Sequence, residues 1–404
     1  MTHSPINTHT LAFLRSPAGH AILARLATLD LAESNTLALL SDLRRDLSPE
    51  HAGAALTLAR LRLRAAAKFS RADALFFTPD ALEQASSEAV SAWRARRFAG
   101  FDRVADLGCG AGGDAVTLAA IPGVDLVALD RDALRLHMAH LNTAAYGHAA
   151  TFVLADLTAP PPLARVPAAF FDPARRDEGR RVYSVRDYAP PLSVIDNWHF
   201  DALAVKLSPG VNLDELRPYT GSGAGVEFVS LGGELKEAVL WCGAFGFEGR
   251  RASRLEPDGT GDTLLPQGAP PPPLSEPRAY LYEPDPAVIR AGLLGELAAH
   301  LGVDLFRLDE SIAYLTGDDY LSSPWARAWP VWDWLPFNLK RLRAALRAQG
   351  IGSVTVKKRG SPLTPEGLIR QLKLDGDGVP AVVVLTQIAG QHSAILCGEM
   401  AVKT

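Results

Sequence analysis

The sequence contains little cysteine. Its three residues of this type, Cys109, Cys242 and Cys397, lie far apart in a chain of 404 residues. This spacing provides neither a disulfide framework nor paired metal ligands, and it is typical of a reducing compartment. The ten histidines are dispersed, so no metal site is expected. No run of about 18 apolar residues occurs, which predicts that no segment spans a membrane.

The chain also lacks a strong excess of either charge. Its 41 basic and 45 acidic residues give a net charge of −4, which argues against non-specific binding of nucleic acid by the whole surface. A local basic groove is still compatible with this balance. The N-terminus lacks a basic start followed by an apolar block, so no secretory signal and a cytoplasmic location are expected. The sequence does not indicate an oligomeric state.

The hydrophobic pattern changes along the chain and predicts an α/β protein of several parts. Residues 1–98 carry apolar positions at helical spacing, which predicts a helical N-terminal domain. Residues 99–262 alternate short apolar runs with helical stretches, which predicts a mostly parallel, Rossmann-like sheet ending in an antiparallel edge hairpin. The Pro-rich residues 263–278 predict a semi-rigid linker. Residues 279–404 predict a small α+β domain.

A glycine-rich stretch, "VADLGCGAGGDAV", joins the first predicted strand to a predicted helix. Glycines permit a tight turn and a close approach of the backbone to a ligand, and the helix start offers free N–H groups. Gly108, Gly110 and Gly113 satisfy the dinucleotide-binding pattern G-x-G-x-x-G. Asp106 with Gly108, Gly110 and Gly112 is similar to the cofactor loop of class I S-adenosylmethionine-dependent methyltransferases. A purely structural turn is the alternative.

Acidic residues end the strands that follow. Asp130 ends "VDLVALD", 22 residues after Gly108, a distance at which an acid binds ribose hydroxyls. Asp156 ends "TFVLAD", and the methyltransferase resemblance implies that it meets the adenine amino group; a surface Asp opening a loop is the alternative. Because S-adenosylmethionine carries no phosphate, a loop lined with acids tolerates it better than it tolerates the pyrophosphate of NAD. These acids therefore favour a methyltransferase over an NAD-dependent oxidoreductase.

The motif "FFDPARR" follows the next predicted strand and supplies the predicted catalytic residues, Asp172 and Pro173. It resembles the D/N-P-P-Y/F motif of amino methyltransferases, in which the acid and nearby carbonyl groups hold an amino group in line with the methyl group. Ala174 stands where that motif has its second Pro, and Arg175 stands where it has an aromatic residue. The departure leaves nitrogen as the acceptor atom in question.

Basic residues beside this motif are predicted to bind the substrate. Arg175 and Arg176 match phosphate oxygens in geometry, and Lys206 in "VKLSPG" is expected to extend the same positive rim. The alternative for the two arginines is a solvated helix start.

The chain as a whole resembles a bacterial family of class I methyltransferases with a helical N-terminal region and a C-terminal THUMP-like domain. The resemblance covers most of the chain from about residue 55. It rests on "KFSRADALFFTPDALEQAS", "DLGCGAGGD", "FFDPARR", "GELKEAVLW", "VKKRG" and "VVVLTQIAG". THUMP domains help RNA-modifying enzymes to hold RNA, so the resemblance implies methylation of an RNA base.

A basic and aromatic region near the end of the chain agrees with an RNA substrate. Lys357, Lys358 and Arg359 are predicted to bind RNA phosphates. Four tryptophans and four further basic residues precede them: Trp325, Trp329, Trp332, Trp334, Lys340, Arg341, Arg343 and Arg347. A solvated helix face over core tryptophans is the alternative. A protein or small-molecule acceptor, or an RNA-binding module without catalysis, also stays open.

Overall fold

A computed structural model of the chain describes residues 4–174, 176–177, 180–181, 184–221 and 223–401. Their contacts separate the chain into two compact units. The first unit runs to Val226 and also takes Glu237–Glu248 and Leu255–Thr260. The second comprises Glu227–Lys236, Gly249–Arg254 and the chain from Gly261 onward. The division into three domains and a Pro-rich linker stays a prediction.

The first unit opens with helices and continues with alternating strands and helices. Its helices before the sheet are α1 (Thr8–Leu14), α2 (Pro17–Leu26), α3 (Thr36–Leu43), α4 (Pro49–Ala65), α5 (Pro79–Gln84) and α6 (Glu88–Ala95). There follow β1 (Arg103–Leu107), α7 (Ala115–Leu118), β2 (Asp125–Asp130), α8 (Ala133–Ala145), β3 (Thr151–Leu154) and β4 (Ala168–Phe171). Next come β5 (Arg176–Asp177), β6 (Arg180–Arg181) and β7 (Ala202–Leu207). Strands β8 (Gly225–Leu231), β9 (Glu234–Gly243) and β10 (Gly249–Leu255) each pass from one unit to the other.

The sheet of the first unit has the predicted Rossmann-like character. Its strands follow the order β9-β7-β4-β1-β2-β3. Strands β7, β4, β1, β2 and β3 run parallel, and β9 runs antiparallel to β7. β9 is joined to β8 by Gly232 and Gly233, both with positive φ, which is the backbone that a two-residue hairpin turn requires. The carboxyl ends of the parallel strands therefore share one edge, where such sheets bind ligands.

The N-terminal helices pack into the same unit as the sheet. Leu58 of α4, Phe77 and Leu82 share one apolar core with Ala111 of the glycine loop and Met138 of α8. All five side chains are at most 5% exposed. The N-terminal helices therefore pack directly against the glycine loop and α8.

The second unit contains a seven-stranded sheet in which most neighbouring strands are antiparallel. Its further elements are β11 (Gly261–Leu264), β12 (Tyr280–Pro284), α9 (Pro286–Ala291), α10 (Leu294–Leu301), β13 (Phe306–Arg307), β14 (Leu315–Gly317), β15 (Ala326–Pro336), α11 (Leu339–Ala348), β16 (Ile351–Lys358), α12 (Pro365–Leu372), β17 (Val379–Ile388) and β18 (Gln391–Cys397). One set of strands follows the order β11-β10-β8, and a seven-stranded sheet follows β13-β14-β12-β15-β18-β17-β16. β16 and β17 run parallel.

Alternation along β17 builds a core on each face of the seven-stranded sheet. Val383 and Leu385 pack with Leu342 of α11 and Leu368 of α12. Val384, pointing the other way, packs with residues that include Tyr314 and Trp329. Because successive side chains of a strand point to opposite faces, a strand covered on both faces needs an unbroken apolar run.

The Pro-rich stretch is packed within the second unit. The amide of Ser275 donates to the carbonyl of Arg307 at 2.9 Å, and the amide of Arg307 donates to the carbonyl of Pro273 at 2.8 Å. Prolines lack an N–H group but keep their carbonyls as acceptors, so the segment runs beside β13 instead of spanning a gap. In the described part of the chain, no helix has the length and apolar character needed to cross a membrane.

Candidate active site

The glycine loop leaves β1 in a conformation that only glycine adopts easily. Gly108, Gly110 and Gly112 have φ of +81°, +54° and +84°. A Cβ on Gly108 would lie 2.7 Å from the carbonyl oxygen of Asp172, and one on Gly112 would lie 2.9 Å from Cα of Ala139. A Cβ on Gly110 would meet no atom within 4 Å. Gly108 and Gly112 therefore permit close packing, whereas Gly110 faces open space.

Asp106 is the most unusual acid of this site. It is fully buried at the end of β1, and among the described residues neither of its carboxylate oxygens has a hydrogen-bond partner. Burial, followed by the negative charges of Asp114 and Asp172, holds the pKa of Asp106 well above its usual range. A buried acid without a partner is costly unless a ligand supplies the missing donor or positive charge.

Asp130 ends β2 and braces the loop. One carboxylate oxygen accepts the amide of Gly110 at 2.9 Å, and the other accepts the amide of Asp132 at 2.9 Å. Because each carboxylate oxygen has two acceptor positions, both retain capacity for a further donor. The arrangement is compatible with the predicted contact to ribose hydroxyls, which stays a prediction.

Asp156 lies two residues beyond the end of β3 and is exposed. Its carboxylate accepts the amide of Thr158 at 3.0 Å, and this hydrogen bond lowers the pKa of Asp156. The bond forms a local turn that either of the two interpretations of Asp156 permits. Contact with the adenine amino group stays a prediction.

Asp172 follows β4, beside the glycine loop. Its amide donates to the carbonyl of Leu107 at 3.0 Å. Nζ of Lys206 donates to Oδ2 of Asp172 at 2.7 Å. The Lys206 side chain is 4% exposed, whereas that of Asp172 is 22% exposed. Pro173 is buried next to it. Asp172 is thus open to a second molecule on one side and paired with a lysine on the other.

Of the three basic residues predicted to bind the substrate, Lys206 is more buried than a residue on a positive rim. Lys206 is predicted to extend the positive rim, but its side chain is 4% exposed and its ammonium pairs with the half-buried carboxylate of Asp172. Arg175 falls outside the described residues. Arg176 belongs to the short strand β5, where its backbone pairs with Arg181. Binding of substrate by these three basic residues stays a prediction.

The sequence analysis did not predict a buried ionic cluster that lies next to the glycine loop. Arg94 of α6 is 3% exposed and donates to the carboxylates of Asp114 and Glu237. Its guanidinium carbon lies 4.4 Å from the ring centroid of Phe170. Burial alone would lower the pKa of Arg94, but the two carboxylates outweigh it and raise that pKa. The sequence signal for this cluster was a charged residue inside each of two largely apolar stretches, "SAWRA" and "KEAVLW".

The basic residues of the second unit divide into paired and exposed ones. Nζ of Lys357 donates to Glu283 at 2.6 Å and lies 4.6 Å from the ring centroid of Trp329. Arg359 lies 3.9 Å from the same carboxylate, whereas Lys358 is exposed. Pairing with Glu283 reduces the positive charge that Lys357 and Arg359 offer to a phosphate. Phosphate binding by the three residues stays a prediction.

The tryptophans of this region are mainly core residues. Trp325 and Trp329 are each 3% exposed, and Trp334 packs against the core around Trp329. Trp332 is 44% exposed. Of these four side chains, Trp332 is therefore the most exposed to solvent.

The residues around the glycine loop fit a cationic cofactor. The unsatisfied carboxylate of Asp106 is suited to an ammonium group, and the open side of Gly110 leaves room for a ligand against the backbone. The carboxylates of Asp114, Asp130 and Asp172 add to the negative potential at Asp106, which attracts a sulfonium and repels a pyrophosphate. Together with the parallel sheet, this site defines an α/β enzyme of the class I methyltransferase type.

Comparison with known proteins gives the family. Two proteins of Mycobacterium tuberculosis, from strains CDC 1551 and H37Rv, are each named an uncharacterized S-adenosylmethionine-dependent methyltransferase. Each is 36% identical to this chain over 332 residues, which cover 79% of this chain and 87% of the relative. The chain belongs to the S-adenosylmethionine-dependent methyltransferases, and its cofactor is S-adenosylmethionine.

A solved structure and two family models extend the comparison. The crystal structure of a candidate methyltransferase from Porphyromonas gingivalis W83 is similar with a TM-score of 0.68 and 19% identity; the match covers 91% of this chain and 98% of that one. At this identity the likeness concerns the fold. Residues 326–399 match a family described as THUMP domain-like, and residues 7–65 match one described as a domain of unknown function (DUF8688). The predicted C-terminal THUMP-like domain is confirmed.

Proposed function

We propose that this methyltransferase transfers its methyl group to a base of RNA. The observation that carries the proposal is the basic outer face of α11, which lies within the THUMP-like region. Leu342 and Leu346 are buried, so one side of this helix packs against the core. Lys340, Arg341 and Arg347 are exposed on the other side, as the helical period requires.

The charge on this face suits phosphate binding. The ten residues of α11, "LKRLRAALRA", contain four basic residues and no acidic one. Arg343 donates to the carbonyls of Gln371 and Leu372 and so joins α11 to the end of α12. The remaining basic side chains are exposed, and exposed Lys and Arg residues bind a nucleic-acid backbone by releasing its counterions. Lys358 at the end of β16 is exposed as well.

In this proposal Asp172 orients the acceptor group and takes its proton. Its Oδ2 is held by Lys206, and Oδ1 accepts no hydrogen bond from the residues that the structure describes. We propose that this oxygen accepts one N–H or O–H of a substrate. The cofactor, when bound, supplies an electrophilic methyl group. Asp106, Gly108, Gly110, Gly112, Asp130 and Asp156 are the residues proposed to hold it. Positioning of the two reactants contributes about 7–11 kcal/mol to such a transfer.

The test is mass spectrometry of modified nucleosides in total RNA from cells with and without the gene. One methylated nucleoside is expected to disappear without the gene. The purified full-length protein should then restore it on RNA from the deficient cells, using S-adenosylmethionine carrying a labelled methyl group. Label found in protein or in small molecules, with RNA unchanged, would contradict the proposal and favour the alternative acceptors.

A further inference from the structure

Five buried or half-buried side chains of the first unit form a row of alternating charge. Asp114 and Glu237 both accept from Arg94, and Asp172 accepts from Lys206. The pair of Lys206 and Asp172 is linked electrostatically to the cluster around Arg94. Burial raises the pKa of Glu237, and the positive charge of Lys206 opposes that rise. The row begins at the glycine loop and ends at the acceptor-side carboxylate.

Strand register explains why Lys206 and Glu237 lie on the same face of the sheet. Lys206 of β7 is paired with Val239 of β9 in the antiparallel ladder. Val239 and Glu237 are two residues apart, so their side chains lie on the same face of the sheet as that of Lys206. Phe170 pairs with Ala204 in the parallel ladder, which places Asp172, two residues further on, over that same face. The pairing of charges is therefore a consequence of the fold.

We propose that Lys206 is a positioning residue, which holds the Asp172 carboxylate in the orientation that methyl transfer requires. The inference rests on the proposed role of Asp172 at the acceptor. Lysine has a long flexible stem, and a buried ammonium is costly unless it is paired. Its burial and its ion pair with Asp172 limit the positions that Nζ can take. The carboxylate of Asp172 is fixed in turn, with Oδ1 left for the substrate.

A kinetic double-mutant cycle separates this role from a merely structural one. The variants are Lys206→Met, Asp172→Asn and the double variant, each compared with the full-length wild type. Lys206→Met should lower kcat for RNA methylation about 10- to 100-fold, since a displacement of 1 Å can cost about 10²-fold. KM for RNA and the Kd for S-adenosylhomocysteine should change less. Lys236→Met, at an exposed ion pair with Glu234, is the matched control and should behave as wild type.

The cycle gives a clear decision. In the Asp172→Asn background, Lys206→Met should add less than about a two-fold loss, because coupled residues do not add. An equal loss in both backgrounds would show that Lys206 acts independently of Asp172 and would overturn the proposal. Full kcat in Lys206→Met would overturn it as well.

A second measurement needs no acceptor, so it stands even if RNA is not the substrate. Reductive methylation of lysines, followed by peptide mass spectrometry, reports how far each Nζ is protected. Lys206 should react slowly in the wild type and several-fold faster in Asp172→Asn. Asparagine cannot form the ion pair with Lys206, so local opening should expose Nζ more often. Absence of RNA methylation together with faster labelling of Lys206 would reject the RNA substrate while supporting the pair. Unchanged labelling of Lys206 would reject the pair.

Discussion

Asp130 accepts the amide of Gly110 across 2.9 Å, so the acid that ends β2 holds the glycine loop that follows β1. Its other oxygen accepts the amide of Asp132, at the start of α8. These two parallel strands are neighbours in the sheet. Because one carboxylate fixes both the loop and the first turn of a helix, its removal should affect cofactor binding through two causes, loss of the proposed hydrogen bonds to the ribose and a loosened loop.

Asp130→Ala should weaken binding of S-adenosylhomocysteine. Loss of hydrogen bonds to a charged group costs roughly 1.5–3 kcal/mol, which corresponds to about 10- to 150-fold in Kd. Titration calorimetry measures this Kd, and Asp130→Asn, which keeps one acceptor oxygen, should fall between wild type and Asp130→Ala. An unchanged Kd in Asp130→Ala would contradict the proposed ribose contact and the bracing of the loop together.

Asp106→Asn should stabilise the cofactor-free protein at neutral pH while weakening cofactor binding. The raised pKa of Asp106 means that the folded chain binds this proton more tightly than the unfolded chain. The resulting stability is fully present below the ordinary aspartate pKa of about 3.9 and is lost as the pH rises through the folded pKa. The Tm of the variant relative to wild type should therefore increase as the pH rises above about 4.

Thermal unfolding of both proteins between pH 4 and pH 8, without cofactor, measures this difference. A difference in Tm that does not change with pH would show that Asp106 carries no titration linked to folding. Titration calorimetry at pH 8 measures cofactor binding. Asp106→Asn should bind the cofactor more weakly, since the neutral amide of Asn attracts a cationic cofactor less than a carboxylate does.

Much of the first unit could be predicted from the sequence, because its signals are local. Unbroken apolar strands predict the parallel sheet, and each strand-end acid follows directly from its strand. Asp130 and Asp172 accordingly lie close enough to Asp106 to help raise the pKa of its carboxyl group. The pairing of Lys206 with Asp172 was missed because it depends on register between strands that are 34 residues apart in the chain. Likewise, Arg94 meets Glu237 across 143 residues, and no local pattern encodes that contact.

Arg94→Met should strongly destabilise the first unit. The substitution leaves the buried carboxylates of Asp114 and Glu237 without their common partner, and breaking a buried pair in this way costs about 3–5 kcal/mol. Arg25→Met is the control, since Arg25 pairs with Asp42 where both side chains are at least 40% exposed. Such surface pairs contribute about 0–1 kcal/mol. Equal falls in Tm for the two variants would contradict the buried cluster.

Lys340→Ala with Arg341→Ala should weaken RNA binding in a salt-dependent way. Removing one cation that binds a phosphate reduces the slope of log K against log salt by about 1, so the double variant should reduce it by about 2. The matched control is Arg44→Ala with Arg45→Ala, another adjacent pair of exposed cations, which lies in the first unit. Fluorescence anisotropy with labelled RNA at several salt concentrations measures both slopes. Equal slopes for the two double variants would remove the support that α11 gives to an RNA substrate.

Asp172→Ala should separate methyl transfer from cofactor binding. Asp172 lies beside Gly108, yet its carboxylate is held by Lys206 and not by the glycine loop. The Kd for S-adenosylhomocysteine should therefore stay within a few-fold of wild type. Methyl transfer should fall by roughly 10²–10⁴, as expected when a positioned proton-handling group is removed.

The comparison variant is Arg175→Ala with Arg176→Ala, because these residues follow the same strand and are proposed to bind substrate. That variant should raise KM for RNA more than it lowers kcat, which is the kinetic signature of removing an interaction that ground state and transition state share. Single-turnover methylation of unmodified RNA distinguishes the two patterns. Full turnover by Asp172→Ala would place the acceptor site elsewhere, and the segment after β4 would then have a structural role alone.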